Sequence, residues 1–337
     1  MIERKSARRF VRTQINGEVV SNIVLTEDDI ALLWHVYRHR LIDSDAIYRL
    51  FPTRSQQQLS RRLNLLFRNH YLGRPPHQVE LYPPGSGSNH LIYGLDREGA
   101  KFLNERFGIR VQPYHWLQKN REISRSNIAH TVSTANFMTD LEISVRSSGN
   151  SRIVHFDELL TEYAPQLTRK RPIPERWQID VNWKGHRGKE GTRPDRIFAI
   201  EYANLPKGKN RSFFYFENDE GTETIEPTIE TRQVGAFFRK SSILRKFVVY
   251  SFSHLTRSHE IHFGWPVAAR VLIVTTSVNR IEAMQATFKR HFSERPLLVP
   301  PGLFLFADKS TVQLNKEFLL AAPWIDGDGK VRHIDDR

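Results

Sequence analysis

The first part of the chain is a series of short helical patterns that are separated by turns. Thr26 and Asp29, in the segment LTEDDIALLWHVYRHRL, have the spacing of a capping box, with aspartate in place of the usual glutamate or glutamine. Apolar residues follow at helical spacing: Ile30, Leu33, Val36 and Tyr37. The pattern predicts a helix over residues 26–40 and a short second helix over residues 43–50, followed by a turn at Pro52.

A third helix is predicted in TRSQQQLSRRLNLLFRNHYL, where Leu59, Leu63 and Leu66 form one apolar stripe. Arginine and glutamine occupy much of the remaining surface, and no carboxylate occurs between Asp45 and Glu80. A duplex along this helix would meet uncompensated positive charge, and both side-chain types can hydrogen-bond to base edges. The predicted DNA-binding residues are Arg54, Gln57, Gln58, Arg61, Arg62 and Arg68. The alternative is a solvated face on a core helix, which usually mixes charges of both signs.

The segment HQVELYPPGSGSNHLIYGL predicts two alternating strands that are joined by a long loop rich in proline and glycine. A hairpin directly after three helices is typical of the wing of a winged helix-turn-helix domain. We assign this domain to residues 22–110, with a closing helix that ends near Gly108. Residues 111–125 are polar and irregular and include Pro113, so they are predicted to be a linker. A second domain is then expected over residues 126–325.

The balance of charge favours a polyanionic partner. The 337 residues carry a formal net charge of +13 at pH 7, which suits double-stranded DNA. The absence of cysteine excludes disulfides, thiolate zinc sites and cysteine nucleophiles, and it fits a reducing cytoplasm. The apolar runs are too short to cross a bilayer and no signal-peptide pattern is present, so we expect no membrane contact.

The second domain contains a strand that ends in acidic residues. The segment SFFYFENDEG is apolar on both faces up to Phe216, which predicts a central strand, and it then places Glu217 and Asp219 on one face. The segment RPDRIFAIEY predicts a neighbouring strand that starts with Asp195. If Asp195 faces the same way, three carboxylates converge, and such a cluster can bind Mg²⁺ through its oxygens. The alternative is an exposed strand end with ordinary surface acids.

This region resembles known nuclease-like proteins. Pro194 and Asp195, a hairpin with Lys207 and Lys209, and a strand that ends at Glu217 together resemble the PD-(D/E)xK nuclease-like superfamily. More narrowly, a winged helix followed by RPDRIF and FFYFENDEGTE is similar to the plasmid replication-relaxation family over most of the chain.

The resemblance implies a restriction-endonuclease-like αβββαβ domain, of α+β or α/β class, with a central mixed sheet. In an active member, Asp195 and Glu217 would be the metal ligands, and Mg²⁺ would be needed only in that case. The catalytic set would be Asp195, Glu217 and Asp219, but the superfamily pattern has a lysine at the position of Asp219. An aspartate cannot offset the charge of a scissile phosphate as lysine does, so DNA cleavage is left open.

Other polar residues could contribute to the second domain. The helix predicted in EPTIETRQVGAFFRKSSILRKF offers four residues that could replace the missing lysine: Arg232, Gln233, Arg239 and Lys240. A solvated or DNA-facing helix surface is the alternative.

The segments KFVVYSF and ARVLIVTTS predict two further strands. Three histidines in a predicted loop lack the spacing of a metalloprotease site, so we do not expect zinc there: His254, His259 and His262.

Two functions remain. The first is a DNA-binding protein of a plasmid or mobile element, acting in replication, relaxation or transfer, whose nuclease-like domain lacks full catalytic machinery. The second is a Mg²⁺-dependent endonuclease that nicks or cleaves DNA with Asp195 and Glu217; the aspartate at position 219 favours the first. The expected partners are double-stranded DNA and other replication or transfer proteins. A homodimer is left open, because winged helices often act as dimers but no heptad run is present.

Overall fold

The computed structural model describes residues 23–81, 90–109, 120, 122–228, 237–292 and 299–336. The chain divides into two compact units, the first running to Thr139 and the second from Asp140. The described residues form a mixed α and β structure with eleven α-helices and a seven-stranded mixed sheet. None of the helices in these ranges is long and apolar enough to span a membrane. The predicted domain bounds are finer than the division into units and stay a prediction.

The first unit contains a group of helices and a small antiparallel sheet. Its elements are α1 Glu27–His39, β1 Leu41–Asp43, α2 Ser44–Leu50, α3 Gln56–Arg68, β2 Leu72–Gly73, β3 Ile92–Leu95, α4 Arg97–Phe107 and the start of α5 Arg125–Ser147. The three strands pair in the order β1-β3-β2. Strand β1 was not predicted from the sequence; it pairs with β3 so that Leu41 lies opposite Gly94.

Two of these helices begin with a reciprocal capping box that the sequence encodes. At α1, the Thr26 hydroxyl accepts a hydrogen bond from Asp29 N at 3.3 Å, and Thr26 N donates to Asp29 Oδ2 at 2.7 Å, which confirms the predicted capping box. At α3, Ser55 and Gln58 form the same reciprocal arrangement, at 3.2 and 3.1 Å. The predicted apolar stripe of α3 is buried in the core: Leu59, Leu63 and Leu66.

The prediction of a first hairpin strand before the loop is wrong. Residues Pro76–Leu81 form a 3₁₀ helix, and the strand that pairs with this side of β3 is the earlier and shorter β2. Gln78 gives the physical reason: its side-chain oxygen accepts a hydrogen bond from Ile92 N at 2.8 Å, and its side-chain nitrogen donates to Ile92 O at 3.2 Å. A side chain thus makes the contacts that strand pairing would otherwise supply. The predicted loop tip, residues 82–89, lies outside the described residues.

The second unit is built around one large sheet. Its strands are β4 Ser151–His155, β5 Trp177–Trp183, β6 His186–Thr192, β7 Arg196–Tyr202, β8 Arg211–Asn218, β9 Arg270–Thr275, β10 Phe304–Asp308, β11 Trp324–Asp326 and β12 Val331–Arg332. Seven of them pair in the order β12-β11-β10-β9-β8-β7-β4, and β5 with β6 forms a separate two-stranded ribbon. Besides the end of α5, the helices are α6 Phe156–Glu162, α7 Gln166–Arg169, α8 Ile243–Leu255, α9 Ser258–Phe263, α10 Val278–Phe292 and α11 Lys309–Leu314.

Strand β8 is an interior strand of this sheet, as the sequence predicts. It runs antiparallel to β7 and parallel to β9. Its residues from Phe213 onward are all buried. Tyr215 belongs to a core cluster that includes residues of α8, while the alternate residue Phe214 stacks on Phe198 with ring centroids 5.2 Å apart. Because both faces of β8 are covered, any charged side chain at its end faces a mostly dry surrounding.

The prediction of a strand in KFVVYSF is wrong, because this segment is part of helix α8. Ser242 caps the helix, its hydroxyl accepting a hydrogen bond from Arg245 N at 3.2 Å. Most of the helix surface is buried, including Leu244, Phe247, Val248, Val249 and Tyr250. A helix without a polar stripe cannot be told from a buried strand by periodicity. The helix predicted before it is not continuous with α8, because residues 238–242 are not helical and α8 begins only at Ile243; residues 229–236 lie outside the described residues.

Candidate nucleic-acid interface and acidic site

Helix α3 carries a polar stripe on the side opposite its buried leucines. The residues of this α3 stripe recur at helical spacing: Gln57, Arg61, Asn64 and Arg68. Gln57 and the two arginines are exposed, and Asn64 is partly exposed. No ion pair involves Arg61 or Arg68 within the described ranges, and the helix itself contains no acidic residue. The stripe therefore presents two arginines and two amide side chains to solvent.

Arg62, by contrast, is held within the first unit by Asp29. Its Nε donates to Asp29 Oδ1 at 2.6 Å, its Nη2 bonds to Asp29 Oδ2, and Nη2 also donates to the carbonyl oxygen of Val24 at 2.7 Å. Burial alone would raise the pKa of Asp29, but the hydrogen bonds from Arg62 and Thr26 outweigh it and lower that pKa. The expectation of uncompensated charge is therefore wrong at Arg62, which neutralises a carboxylate that is 1 % exposed.

Arg54 is also compensated, although more weakly. Its Nε donates to Asp28 Oδ2 at 2.6 Å, and both side chains are exposed, so the pair contributes less than about 1 kcal/mol. Gln58 is engaged in the cap of α3 through its own backbone and side chain. The acids that pair with Arg54 and Arg62 both come from α1. Because α1 is distant from α3 in sequence, the stretch without carboxylates around α3 gave no indication of these pairs.

In the second unit, Asp195 and Glu217 occupy opposing positions on neighbouring strands. Arg196 of β7 pairs with Phe216 of β8, and the next antiparallel position places Asp195 across from Glu217. The backbone supports this register, since Asp195 N donates to Phe216 O at 3.0 Å and Asn218 N donates to Asp195 Oδ2 at 2.8 Å. Asp195 is partly exposed and Glu217 is buried. Two of the three predicted carboxylates thus form one acidic pair.

Glu217 is surrounded by two donors from α8. The Tyr250 hydroxyl donates to Glu217 Oε1, and Lys246 Nζ lies 3.0 Å from Glu217 Oε2. Burial raises the pKa of Glu217 to about 7, with Asp195 adding to the rise and Lys246 and Tyr250 opposing it. The carboxylate therefore titrates in the neutral range, where a small change in its surroundings alters its charge.

Lys246 is the basic residue of this site that the sequence analysis missed. Its Nζ also lies 2.9 Å from Glu223 Oε2. Burial would lower the pKa of Lys246, but the two carboxylates outweigh this effect and raise it, so the side chain stays cationic. It lies one helical turn after the capping Ser242, where the end of one predicted helix and the start of one predicted strand overlap. Recognising that serine as a cap would have resolved the overlap in favour of a helix.

The four basic or amide residues that were expected to replace the missing lysine do not supply it in the described structure. Arg232 and Gln233 lie outside the described residues. Arg239 and Lys240 are exposed, and the described contacts of Glu217 do not include them. The lysine comes instead from the first turns of α8: Lys246 lies within the same predicted helix segment but is not among the four residues named there.

Asp219 is bound by a different cation. Arg280 of α10 donates from Nη2 to Asp219 Oδ1 at 2.9 Å, and the Thr275 hydroxyl donates to Oδ2. Burial would raise the pKa of Asp219, but the hydrogen bonds from Arg280 and Thr275 outweigh it and lower that pKa. None of the described contacts of Asp219 involves Asp195 or Lys246. Two of the three expected carboxylates therefore lie together, and the third, Asp219, forms a separate ion pair with Arg280.

The three histidines lie on helices, not in the predicted loop. His254 is on α8, and His259 and His262 are on α9. His259 Nδ1 lies 3.0 Å from Ser253 O, and His262 Nε2 lies 2.8 Å from Pro174 O. Burial lowers the pKa of all three rings. Two of the rings thus hydrogen-bond to separate backbone carbonyls, each through one nitrogen.

Comparison with known proteins gives one match. A family model described as Replication-relaxation matches residues 33–236, more than half of the chain, and this range includes the α3 stripe and the acidic pair but not Lys246. No curated protein and no solved structure matches the chain. The chain therefore belongs to the replication-relaxation family, which suggests a role in replication or relaxation of a plasmid or mobile element.

Proposed function

We propose that this replication-relaxation protein binds duplex DNA through the α3 stripe. The observation that carries the proposal is the charge on one side of α3, where Arg61 and Arg68 project opposite the buried leucines and no acid shares the helix. An arginine that neutralises a phosphate releases condensed counterions, which favours binding. Gln57 and Asn64, on the same stripe, carry amide groups that can pair with an adenine edge.

The order of elements in the first unit supports a winged helix-turn-helix as the carrier of this surface. Helices α2 and α3 are joined by residues 51–55 and are followed by β2 and β3, which with β1 form the three-stranded sheet. In helix-turn-helix proteins the second helix of the pair enters the major groove. The Arg62 and Asp29 ion pair fixes α3 on α1 and so determines which face of α3 is left for DNA.

Fluorescence anisotropy with a labelled duplex tests this proposal. The variant Arg61→Ala/Arg68→Ala should bind more weakly, and the slope of log K against log salt should fall by about 1.8, because two phosphate contacts are lost. The control Lys101→Ala/Arg106→Ala removes the same formal charge from exposed positions of α4 and should keep the slope. Equal effects of both variants, or no effect of the first, would contradict docking through α3.

A second function, metal-dependent DNA cleavage, is favoured by one specific observation: Lys246 Nζ lies 3.0 Å from Glu217 Oε2. The lysine missing two residues after Glu217 is thereby available from another element. The order α5, β4, β7, β8, α8, β9, with the ribbon inserted after β4, supports the αβββαβ arrangement of the nuclease-like superfamily.

The residues of the acidic pair fit a hard divalent cation. Asp195 and Glu217 offer oxygen ligands from opposing positions, and together with Glu223 they outnumber the positive charge of Lys246. When bound, Mg²⁺ would polarise a phosphoryl oxygen and lower the pKa of a bound water. Lys246 would attract the anionic oxygens of the scissile phosphate, and the Tyr250 hydroxyl would hold the Glu217 carboxylate in place.

Incubation of supercoiled plasmid with the protein and Mg²⁺ or Mn²⁺ tests this second function. Metal-dependent nicking should be lost in Glu217→Gln and in Lys246→Met, and it should be kept in a folded Asp219→Asn variant, whose carboxylate is bound by Arg280. Absence of nicking by the wild-type protein would leave DNA binding as the sole function and the second unit as a nuclease-like domain without catalysis.

A further inference from the structure

The ribbon of β5 and β6 has one apolar and one polar face. Alternate residues of β5 are buried on the inner side, in the core cluster that also contains residues of α8: Trp177, Ile179, Val181 and Trp183. The opposite side, called the outer ribbon face below, is exposed along β5. Arg176 and Gln178 lie over Gly191 on this side, since a Cβ at Gly191 would be 3.2 Å from Arg176 Nε and 3.1 Å from Gln178 Nε2.

The outer ribbon face is strongly basic. Four exposed basic residues lie on or beside it: Arg176, Arg187, Lys189 and Arg193. Lys184, at the ribbon turn, is exposed but lies over the ring of Trp183 instead, 4.9 Å from its centroid. One acid, Asp180, shares the face and stands opposite Lys189 in the pairing register. Four positive charges and one negative charge leave a formal charge of +3 on this face. Across the described part of the chain, the structure shows no ion pair for any of these five outer-face side chains.

Charged residues on the inner side of the same ribbon are paired instead. Glu190 lies 2.9 Å from His186 Nε2 and 3.7 Å from Arg245 Nη2. The charges of β6 thus differ between its two faces. The acid that faces the core is paired, whereas the basic residues that face solvent are in excess. A solvated surface that served only solubility would more often mix both signs.

The end of the ribbon is fixed beside the acidic pair. Arg245 Nη2 donates to the carbonyl oxygen of Gly191 at 2.9 Å. The buried Thr192 side chain lies close to Tyr250, whose hydroxyl donates to Glu217. Strand β6 ends at Thr192, and only two residues separate it from Asp195. A polyanion on the outer ribbon face would therefore adjoin the acidic pair.

We propose that the outer ribbon face is a second binding surface for duplex DNA. This inference rests on the proposed function and adds to it a contact made by the second unit. A two-stranded antiparallel ribbon fits the major groove of DNA, and side chains on its outward face can reach phosphates and base edges. Gln178 and Asn182 are exposed on this face and carry the amide groups that such contacts use.

Duplex DNA fits this face better than an acidic protein does. The exposed positions of β5 and β6 on the outer ribbon face are charged, amide or glycine residues, with no aromatic or aliphatic side chain among them. Protein interfaces depend on buried apolar and aromatic anchors, whereas DNA interfaces are polar and positively charged. A face with excess positive charge and no apolar anchor is therefore typical of a surface that binds the phosphate backbone of DNA.

Salt dependence of DNA binding by the full chain tests the proposal. In Arg187→Ala/Lys189→Ala the slope of log K against log salt should fall by about 1.8, because two phosphate contacts are removed. The control Lys207→Ala/Lys209→Ala removes the same charge at the β7–β8 turn, the end of these strands remote from Asp195, and should keep the wild-type slope. An unchanged slope in the ribbon variant would overturn the proposal.

Replacement of Asp180, the one acid on this face, gives a second test. It predicts tighter binding, which a misfolded variant would not produce. Asp180→Asn should bind duplex DNA about two- to fivefold more tightly at low salt, because a negative charge next to the phosphates is deleted. Unchanged or weaker binding by a folded Asp180→Asn variant would count against a duplex on this face.

Cross-linking separates this proposal from docking through α3. The chain contains no cysteine, so a single Asn182→Cys, exposed on the outer ribbon face, can carry a thiol-specific photo-cross-linker. It should cross-link to duplex DNA, whereas Lys207→Cys should not. DNA binding that depends on Arg61 and Arg68 but gives no cross-link from position 182 would overturn the ribbon proposal and leave the proposed function intact. A chain that binds no DNA at all would overturn both.

Discussion

Lys246 Nζ on α8 lies 3.0 Å from Glu217 Oε2 on β8, and this contact changes the interpretation of the acidic pair. The strand motif alone has aspartate where a nuclease would have lysine, which suggests a site without its cation. The fold supplies that cation from a helix and binds the aspartate to Arg280 instead. Glu217 is thus a buried carboxylate with one cationic partner, one hydroxyl donor and Asp195 across the strand pair.

The first prediction concerns stability and pH. The pKa of Glu217 is about 7 in the folded state and 4.5 as the unperturbed reference, so between these values the folded chain binds more protons than the unfolded chain. Stability from this group is therefore present at low pH and is lost as pH rises toward 7. Urea unfolding should show that wild type loses roughly 2–3 kcal/mol more than Glu217→Gln between pH 5 and pH 8. Parallel curves for the two proteins would show that Glu217 is not buried in this way.

The second prediction distinguishes two neighbouring arginines of α3. Arg62→Ala should lower the free energy of unfolding by about 2–4 kcal/mol, because it leaves the buried Asp29 carboxylate unpaired. Arg61→Ala should change it by less than about 0.5 kcal/mol, because that side chain is exposed. DNA affinity should respond the opposite way, falling in folded Arg61→Ala. Thermal denaturation and anisotropy together measure both effects, and a reversed order in either would contradict the assigned faces.

The third prediction concerns Asp219. Its lowered pKa stabilises the fold above the reference value of 3.8, and this contribution is lost as pH falls through the folded-state pKa. Asp219→Asn should therefore cost about 2–4 kcal/mol at pH 7, where it leaves Arg280 without its carboxylate, and less at pH 3. Asp180→Asn, at an exposed position, is the matched control and should change stability by less than about 0.5 kcal/mol. Equal stability of both variants would show that the Asp219 pair contributes nothing.

Local features of the fold could be predicted because neighbouring residues encode them. Thr26 and Asp29 define the start of α1 by their spacing, and Leu59, Leu63 and Leu66 define the buried side of α3. The apolar run before Glu217 likewise indicates an interior strand. Each of these signals depends on side chains within one element, where helical or strand periodicity is a direct physical constraint.

Long-range contacts could not be predicted in the same way. The partner of Arg62 is 33 positions away in sequence, and Lys246 meets Glu217 only because α8 packs on the sheet. Strand and helix could not be separated for the segment after Lys246, because a helix buried on most sides has no polar stripe. Gln78 replaced a strand by hydrogen bonds to Ile92, which no periodicity reveals.

The most direct test of DNA docking is a cross-link from the α3 stripe. Gln57→Cys, in this cysteine-free chain, can carry a thiol-specific photo-cross-linker on the exposed side of α3, and Lys101→Cys can carry it on α4 as a control. With duplex DNA under matched occupancy, we predict efficient cross-linking from position 57 and little from position 101. Cross-linking from position 101 but not from position 57 would contradict the claim that α3 is the DNA-binding helix.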